Sequence, residues 1–273
     1  MPGPICSLAD TADETVEDLV MKVGRETQQP SPCPGVRLFL LNRRTLIIAD
    51  RKWQESGVGH VAAINPTRSF LMLTLYHAPH SRSSRIVRLV LELGVLDQVE
   101  IRIVTIPRND GSGAIDPANP HPEGKVPLLV HDEVEIWESN AIMLYLTDLF
   151  PDAGLGRSVG SPDRGSYLSW LAWYGNVVEP VIVCDAAGLS HPFLDATFRG
   201  VPEVVARLTG QLEKTPFLLG EQFSAADLLL VSPYVWFPQA TPDVPIIRDW
   251  IARCQARPAA EAITDFDQAA VQA

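Results

Sequence analysis

The chain of 273 residues is 46% hydrophobic and 20% charged, with a formal net charge of −11 and four cysteines. An acidic surface argues against nucleic acid or an anionic membrane as the general partner, and the length suffices for one large core or two moderate ones. No apolar run is long enough for a transmembrane helix, no basic-then-apolar leader opens the chain, and Cys6, Cys33, Cys184 and Cys254 show neither CxxC nor metal-ligand spacing. A cytoplasmic protein with reduced, mostly buried thiols is the expectation.

Residues 1–71 read unlike the remainder. They carry 8 basic and 8 acidic residues, so the rest holds 14 basic against 25 acidic and the whole net charge. The segment "RETQQPSPCPGVRLF" is turn-rich, and the apolar runs around it are short and lack partners. The expectation is an atypical, poorly ordered extension, dispensable or translated from a start chosen too far upstream. The competing reading is a small extra subdomain on Leu38–Ile48.

From Met72 the order of elements is regular. "LTLY" (73–76) reads as a strand, and Ser83 to Leu93 carries a helical stripe of Ile86, Val87, Val90 and Leu91 that Gly94 ends. "VEIRIVTI" (99–106) alternates as a second strand, and β-helix-β order favours a parallel pair. A loop rich in Pro, Gly and Asn follows. "VPLLV" and "VEIW" are strands joined by "HDE", and "SNAIMLYLTDLF" is a helix that Pro151 stops. Residues 72–152 thus form a small α/β domain with a mixed sheet, and a linker leads to an all-helical domain over 162–265. There, Pro180 should kink a long apolar helix, Pro202 suits a first turn, and Ser224 with Asp227 forms a capping box.

Four stretches in this order resemble the cytosolic glutathione transferase family over roughly residues 72 to 265: "LTLYHAPHSRSSRI", "NPHPEGKVPLLV" with "ESNAI", "GEQFSAADLLL", and "WIARCQARPA". The resemblance implies a thioredoxin-like domain followed by a helical bundle, the bacterial type with serine in its active-site turn. It also implies glutathione as co-substrate, no metal, a detoxifying conjugation of the glutathione thiolate to a small hydrophobic electrophile, and a homodimer.

Glutathione carries two carboxylates, an amine and a thiol. Ser139 sits where a helix should begin, so its hydroxyl and the free N–H groups can hold a carboxylate. By residues alone it reads first as an N-cap; the resemblance reverses that preference and implies that Glu138 and Ser139 hold the γ-glutamyl end. Pro127 cannot donate a hydrogen bond and belongs at a strand start. The resemblance implies a cis Val126–Pro127 bond, with the Val126 backbone pairing with the cysteinyl unit like an added strand. Lys125, with His121 as a weaker candidate, would reach the glycyl carboxylate; Lys125 reads equally as a solvated loop lysine.

Catalysis requires a thiolate near neutral pH, whereas a free thiol has a pKa of about 8.5. The register of the family's turn points to Ser81 as the hydroxyl beside the sulfur, with Ser83 the runner-up. By residues alone Ser83 and Ser84 cap the helix, and Tyr76 belongs to the core. With no cysteine near the turn, disulfide exchange through an enzyme mixed disulfide is disfavoured. Trp170, Trp173, Tyr174 and Val177 fall at helical spacing, which suits either a second-substrate pocket or interdomain packing. The alternatives to conjugation are a glutathione-dependent peroxidase, dehalogenase or isomerase on the same site, or a non-catalytic ligand-binding module.

Overall fold

The computed structural model describes residues 73–272 and, nearer the amino end, three short strands. These strands, β1 (Gln28–Gln29), β2 (Val36–Leu41) and β3 (Arg44–Ala49), make an antiparallel sheet in that order. β2 and β3 pair from Val36↔Ala49 to Leu41↔Arg44, across the span where the sequence admits an extra subdomain. The poor order expected of residues 1–71 otherwise lies outside the described residues.

Residues 70–273 form a separate compact unit. It opens with β4 (Leu73–His77), α1 (Ser84–Leu93), β5 (Val99–Ile103), β6 (Leu128–His131), β7 (Val134–Trp137) and α2 (Ser139–Leu149). The sheet order is β5-β4-β6-β7. β4 and β5 are parallel, as a strand-helix-strand crossover requires, and β6 pairs antiparallel with both β4 and β7. All five residues of β4 are buried, which suits an apolar strand with a neighbour on each side. The β6–β7 loop is two residues, not three: Asp132 and Glu133 both adopt positive φ, the backbone of a tight hairpin turn.

Helix α1 is buried almost all round, so Leu89 joins Ile86, Val87 and Val90 in the core while Leu91 is only half-buried. Gly94 ends it at φ 70°, and its N–H returns to the Leu91 carbonyl. Two arginines go under with it. The Arg88 guanidinium donates to the Cys254 carbonyl, and Glu92 accepts two bonds from Arg257, at 2.7 and 2.9 Å, through one carboxylate oxygen.

The helical half comprises α3 (Arg164–Trp173), α4 (Glu179–Ala186), α5 (Pro192–Phe198), α6 (Val201–Leu212), α7 (Ala225–Trp236), α8 (Pro245–Gln255) and α9 (Pro258–Gln272). Between α3 and α4, Tyr174–Val178 forms one π-type turn. That widened turn leads into Pro180 at the second position of α4, so the irregularity falls where proline lacks the N–H of a regular helix. One apolar core runs from Leu73 and Leu75 through α1 and α2 to Tyr167, Trp170, Leu229 and Trp250, so the thioredoxin-like half and the helical half are packed as one body. The last helix continues to Gln272, beyond the boundary at 265 that the sequence suggests. Asp265 and Asp267 make its end look solvated, yet Ile263, Phe266, Asp267 and Ala270 fall on one inward face.

The Ser224–Asp227 capping box forms, and it does more than end a helix. The fully buried Asp227 carboxylate accepts from the Leu218 N–H (2.9 Å), the Ser224 N–H (3.0 Å) and the Trp250 indole N–H (3.0 Å). It thereby ties α7 to α8 and to the loop before it. Burial pushes its pKa up, against the pull of those bonds. Asp227→Ala leaves buried donors without partners and should cost about 3 kcal/mol, read as a lowered urea midpoint.

Candidate active site

The sheet register brings the sequence-predicted residues to one end. Tyr76 pairs with Leu128 and Leu128 with Trp137. The turn after β4, the Val126–Pro127 step before β6 and the Glu138–Ser139 step after β7 therefore leave the same edge of the sheet. Tyr76 itself is buried among Ala78, Val104 and Leu128, a core residue as expected.

The turn after β4 is tied together by side chains rather than by helix caps. Ser83 stands at the N-cap of α1, but it makes no capping bond with its side chain. Its hydroxyl turns back instead: it lies 2.7 Å from His77 Nδ1, accepts from the Ala78 N–H (3.1 Å), and is 2.7 Å from the Ser81 hydroxyl. The capping role read from the sequence is thus replaced by a tighter bond to a buried imidazole. His77 Nε2 faces Asp267 Oδ1 at 3.0 Å. The other oxygen of Asp267 accepts from the Ser84 hydroxyl (2.6 Å) and the His80 N–H (2.8 Å). His80 adopts φ 53°, and Arg108 from the long loop holds the Pro79 and His80 carbonyls at 2.7 and 3.0 Å.

Exposure orders this network from inside to outside. His77 and Ser83 are completely buried, whereas Ser81 retains 8%. Burial pushes the Asp267 carboxyl up, but the bonds from His77, Ser84 and the His80 N–H outweigh it and hold the group below the usual carboxylate range. Neither His77 nor Asp267 emerges from sequence reasoning. His77 looks like a strand end, and the only trace of Asp267 is a carboxylate in the apolar row of α9.

On the other side of the sheet end, Val126–Pro127 is a cis bond, as the resemblance implies. Among the described residues the Val126 N–H and C=O have no hydrogen-bond partner outside the sheet ladders. The preceding loop is organised by Asn119, which donates to the Lys125 carbonyl (3.0 Å) and accepts from the His121 N–H (3.1 Å). His121 Nδ1 in turn accepts from the Glu123 N–H at 3.0 Å, so its ring is part of the loop's own structure. The Lys125 ammonium is exposed and pairs with Glu123. Gly124 is required here: its φ is 63°, and a Cβ would stand 2.9 Å from Ile115.

Helix α2 begins at Ser139, so the N-cap is Glu138 and not the serine. Glu138 is held at φ 70° without a capping bond, an unfavourable backbone for a non-glycine residue. Ser139 retains 9% exposure, and its hydroxyl bonds no other described residue. First-turn N–H groups and a free hydroxyl here face the sheet end, a ready site for an anion.

The helical half meets the serine turn with polar groups. Arg82 pairs with Glu179 of α4, and Arg85 donates to the Tyr174 hydroxyl at 2.8 Å while lying over the Tyr174 and Trp236 rings. Burial raises the Glu179 pKa, but Arg85 and Arg82 more than offset it, so the carboxyl is held below its ordinary value. Burial pushes the Tyr174 hydroxyl up to about 12, despite Arg85. Trp170 and Trp173 meet edge to face and both lie under the Arg207 guanidinium of α6, a contact within the helical half. No helix among the described residues is long and apolar enough to cross a membrane.

Comparisons with known proteins agree with this geometry. Residues 75–155 match the glutathione S-transferase N-terminal domain model and residues 184–258 the C-terminal domain model. The chain is 29% identical to the disulfide-bond oxidoreductase YfcG of Escherichia coli (strain K12), over 69% of this chain and 92% of that protein. Among solved structures, a sphingomonad glutathione S-transferase complexed with glutathione is 26% identical at a TM-score of 0.58, covering 71% of this chain and 98% of its own. A glutathione transferase from Methylococcus capsulatus is 25% identical at a TM-score of 0.59, covering 72% and 99% respectively.

Asp267 ionises more readily in the folded protein than in the unfolded chain, so over the intervening window the unfolded chain binds the extra proton and stability rises with pH. The urea midpoint of the parent should exceed that of Asp267→Asn at about pH 7. The gap should close as pH falls below about 4, where the unfolded carboxyl protonates. Paired urea titrations across that range check it; a gap independent of pH contradicts it.

Proposed function

This chain belongs to the glutathione S-transferase family, and from that premise we propose that it binds glutathione at the sheet end and uses the thiolate against small electrophiles. The observation that carries the reading is the set of unspent groups at that end. These are the Ser139 hydroxyl, the Val126 backbone pair beside cis Pro127, and the outward side of Ser81.

In this reading Ser139 and the first-turn N–H groups of α2 hold the γ-glutamyl carboxylate, and the Glu138 carboxylate takes its ammonium. The Val126 N–H and C=O pair with the cysteinyl backbone. Lys125 receives the glycyl carboxylate, with His121 shaping the loop beneath it. The sulfur then lies at Ser81, whose hydroxyl stabilises the anion and lowers the thiol pKa. Ser83, enclosed between His77 and Ser81, supports that hydroxyl rather than touching the ligand. The electrophile enters from the side of α3 and α4, the reaction needs no metal, and the protein works as a cytoplasmic homodimer.

A second reading rests on the relative named as a disulfide-bond oxidoreductase. Among the described cysteines, Cys254 is buried with its pKa pushed up by burial, and Cys184 lies on α4, half-buried. Disulfide exchange here would use glutathione for both thiols. The bound thiolate attacks a disulfide and releases one thiolate, and a second glutathione resolves the mixed disulfide. The products are glutathione disulfide and two substrate thiols.

Retention on immobilised glutathione tests the site. Turnover of an aromatic chloride against hydroxyethyl disulfide separates the two reactions, and binding without either turnover supports a ligand-binding module. Ser139→Ala should weaken glutathione about tenfold, the loss of one hydrogen bond to a charged group. Ser81→Ala should lower turnover at least tenfold with glutathione affinity changed less than twofold; equal loss of binding in the two variants contradicts the assignment.

A further inference from the structure

The hydrogen bonds behind Ser81 have a direction, and that direction decides what the serine offers to a ligand. Asp267 accepts three bonds and donates none, so His77 Nε2 carries the proton that fills the 3.0 Å gap. In the neutral ring Nδ1 is then an acceptor, and the only hydroxyl within reach is Ser83 at 2.7 Å. Ser83 spends its one proton there, on the 2.7 Å contact, rather than on the Ala78 carbonyl at 3.2 Å. Its two lone pairs take the Ala78 N–H at 3.1 Å and the Ser81 O–H at 2.7 Å. Ser81 therefore points its own proton inward. Its oxygen already accepts from the Ser83 N–H at 3.2 Å, and one lone pair is left for a further donor. The resting serine is an acceptor, suited to a thiol S–H rather than to a thiolate.

We propose that Asp267, His77, Ser83 and Ser81 form one proton path through which the thiol of bound glutathione is deprotonated. The proposal rests on glutathione lying with its sulfur at Ser81. The S–H bond breaks and its proton passes to Ser81 Oγ. The Ser81 proton passes to Ser83 Oγ, and the Ser83 proton to His77 Nδ1. Both serines remain neutral, the sulfur becomes a thiolate, and His77 becomes an imidazolium paired with the Asp267 carboxylate. The hydrogen bonds from the sulfur to His77 Nδ1 have now reversed, while Nε2–H still donates to Asp267, so Ser81 donates to the thiolate it has just formed. Once the product leaves, the proton returns along the same path to water. His77 and Asp267 act through the serines as positioning residues for the hydroxyl and as the sink for the proton. A carboxylate behind the imidazole stabilises the imidazolium, as in hydrolase triads.

Charged and titratable groups around the path are few. His80 lies 3.6 Å from Asp267 on its outer side, Arg108 holds the turn's carbonyls, and the Arg82–Glu179 pair flanks Ser81. Phe266 of α9 covers the His77 ring at 5.8 Å between centroids.

The test is the ultraviolet absorbance of bound glutathione thiolate, titrated with pH at saturating glutathione, with binding measured in parallel by calorimetry. His77→Gln and Asp267→Asn should each raise the midpoint by about one unit or more, a tenfold loss of thiolate at fixed pH. The double variant should move it little further, because the two act as one unit. His80→Asn, which keeps the backbone bond and suits the positive φ, should leave the midpoint in place. Ser83→Ala cuts the path while leaving the His77–Asp267 pair, and the same rise is expected if either buried substitution fails to fold. Midpoints equal to the parent's, in variants that still bind glutathione, overturn the path and leave the site standing. An equal shift in His80→Asn also overturns it. A parent that binds no glutathione overturns the site reading itself.

Discussion

The arrangement of the serine turn depends on one buried carboxylate. Asp267 stands 190 positions along the chain from His77, yet its two oxygens take the imidazole, a serine hydroxyl and a backbone N–H of the turn. A carboxylate with 3% exposure is tolerated because each bond offsets part of its desolvation. The same bonds fix which way the imidazole faces and hence where the Ser83 and Ser81 hydroxyls sit. The sheet delivers the turn to the right end of the molecule; the last helix sets its internal geometry.

That dependence explains why the two halves share a core. Helix α1 starts at the turn, and α9 packs along it with Phe266 over His77, so the apolar contacts align the helix that carries Asp267. At the far end of α1 the Arg88 and Glu92 contacts to the α8–α9 junction fix the register of that packing. From the other side, Arg82 with Glu179 and Arg85 with Tyr174 couple the turn to α3 and α4. Isolated exposed ion pairs contribute little. Here, though, Arg85 is buried between two aromatic rings, and its loss would leave Glu179 and Tyr174 to be resolvated.

Local signals carried much of this into the sequence. Alternation and helical spacing delimit the strands and helices because each element buries one face. Pro127 and Ser139 announce themselves by what they lack or offer to the backbone. The two-residue turn at Asp132–Glu133 is harder to read, since neither residue is the glycine or asparagine that usually accepts positive φ there. Ser83 was legible as a helix start and illegible as a network member. A cap is a local event, whereas the competing partner His77 is set by how the strand enters the turn. Asp267 was hidden for the opposite reason: its partners are remote, and beside Asp265 it reads as a solvated helix end. Only its place at i+4 from Ile263 and next to Phe266 betrays an inward face.

The same reasoning bears on the choice between conjugation and disulfide exchange. Both would begin with one thiolate, so in the proposed site everything behind Ser81 would serve either reaction equally. The distinction must be made on the electrophile's side, where Glu179 of the helical half pairs with Arg82 of the turn. The tryptophans that spacing left open to either pocket or packing lie under Arg207. A disulfide flanked by polar groups meets this surface without burying an unpaired charge. A purely apolar electrophile would have to cover the ion pair and lose its solvation. In the proposed site, the charged pair beside the turn favours polar electrophiles, whichever bond the sulfur forms.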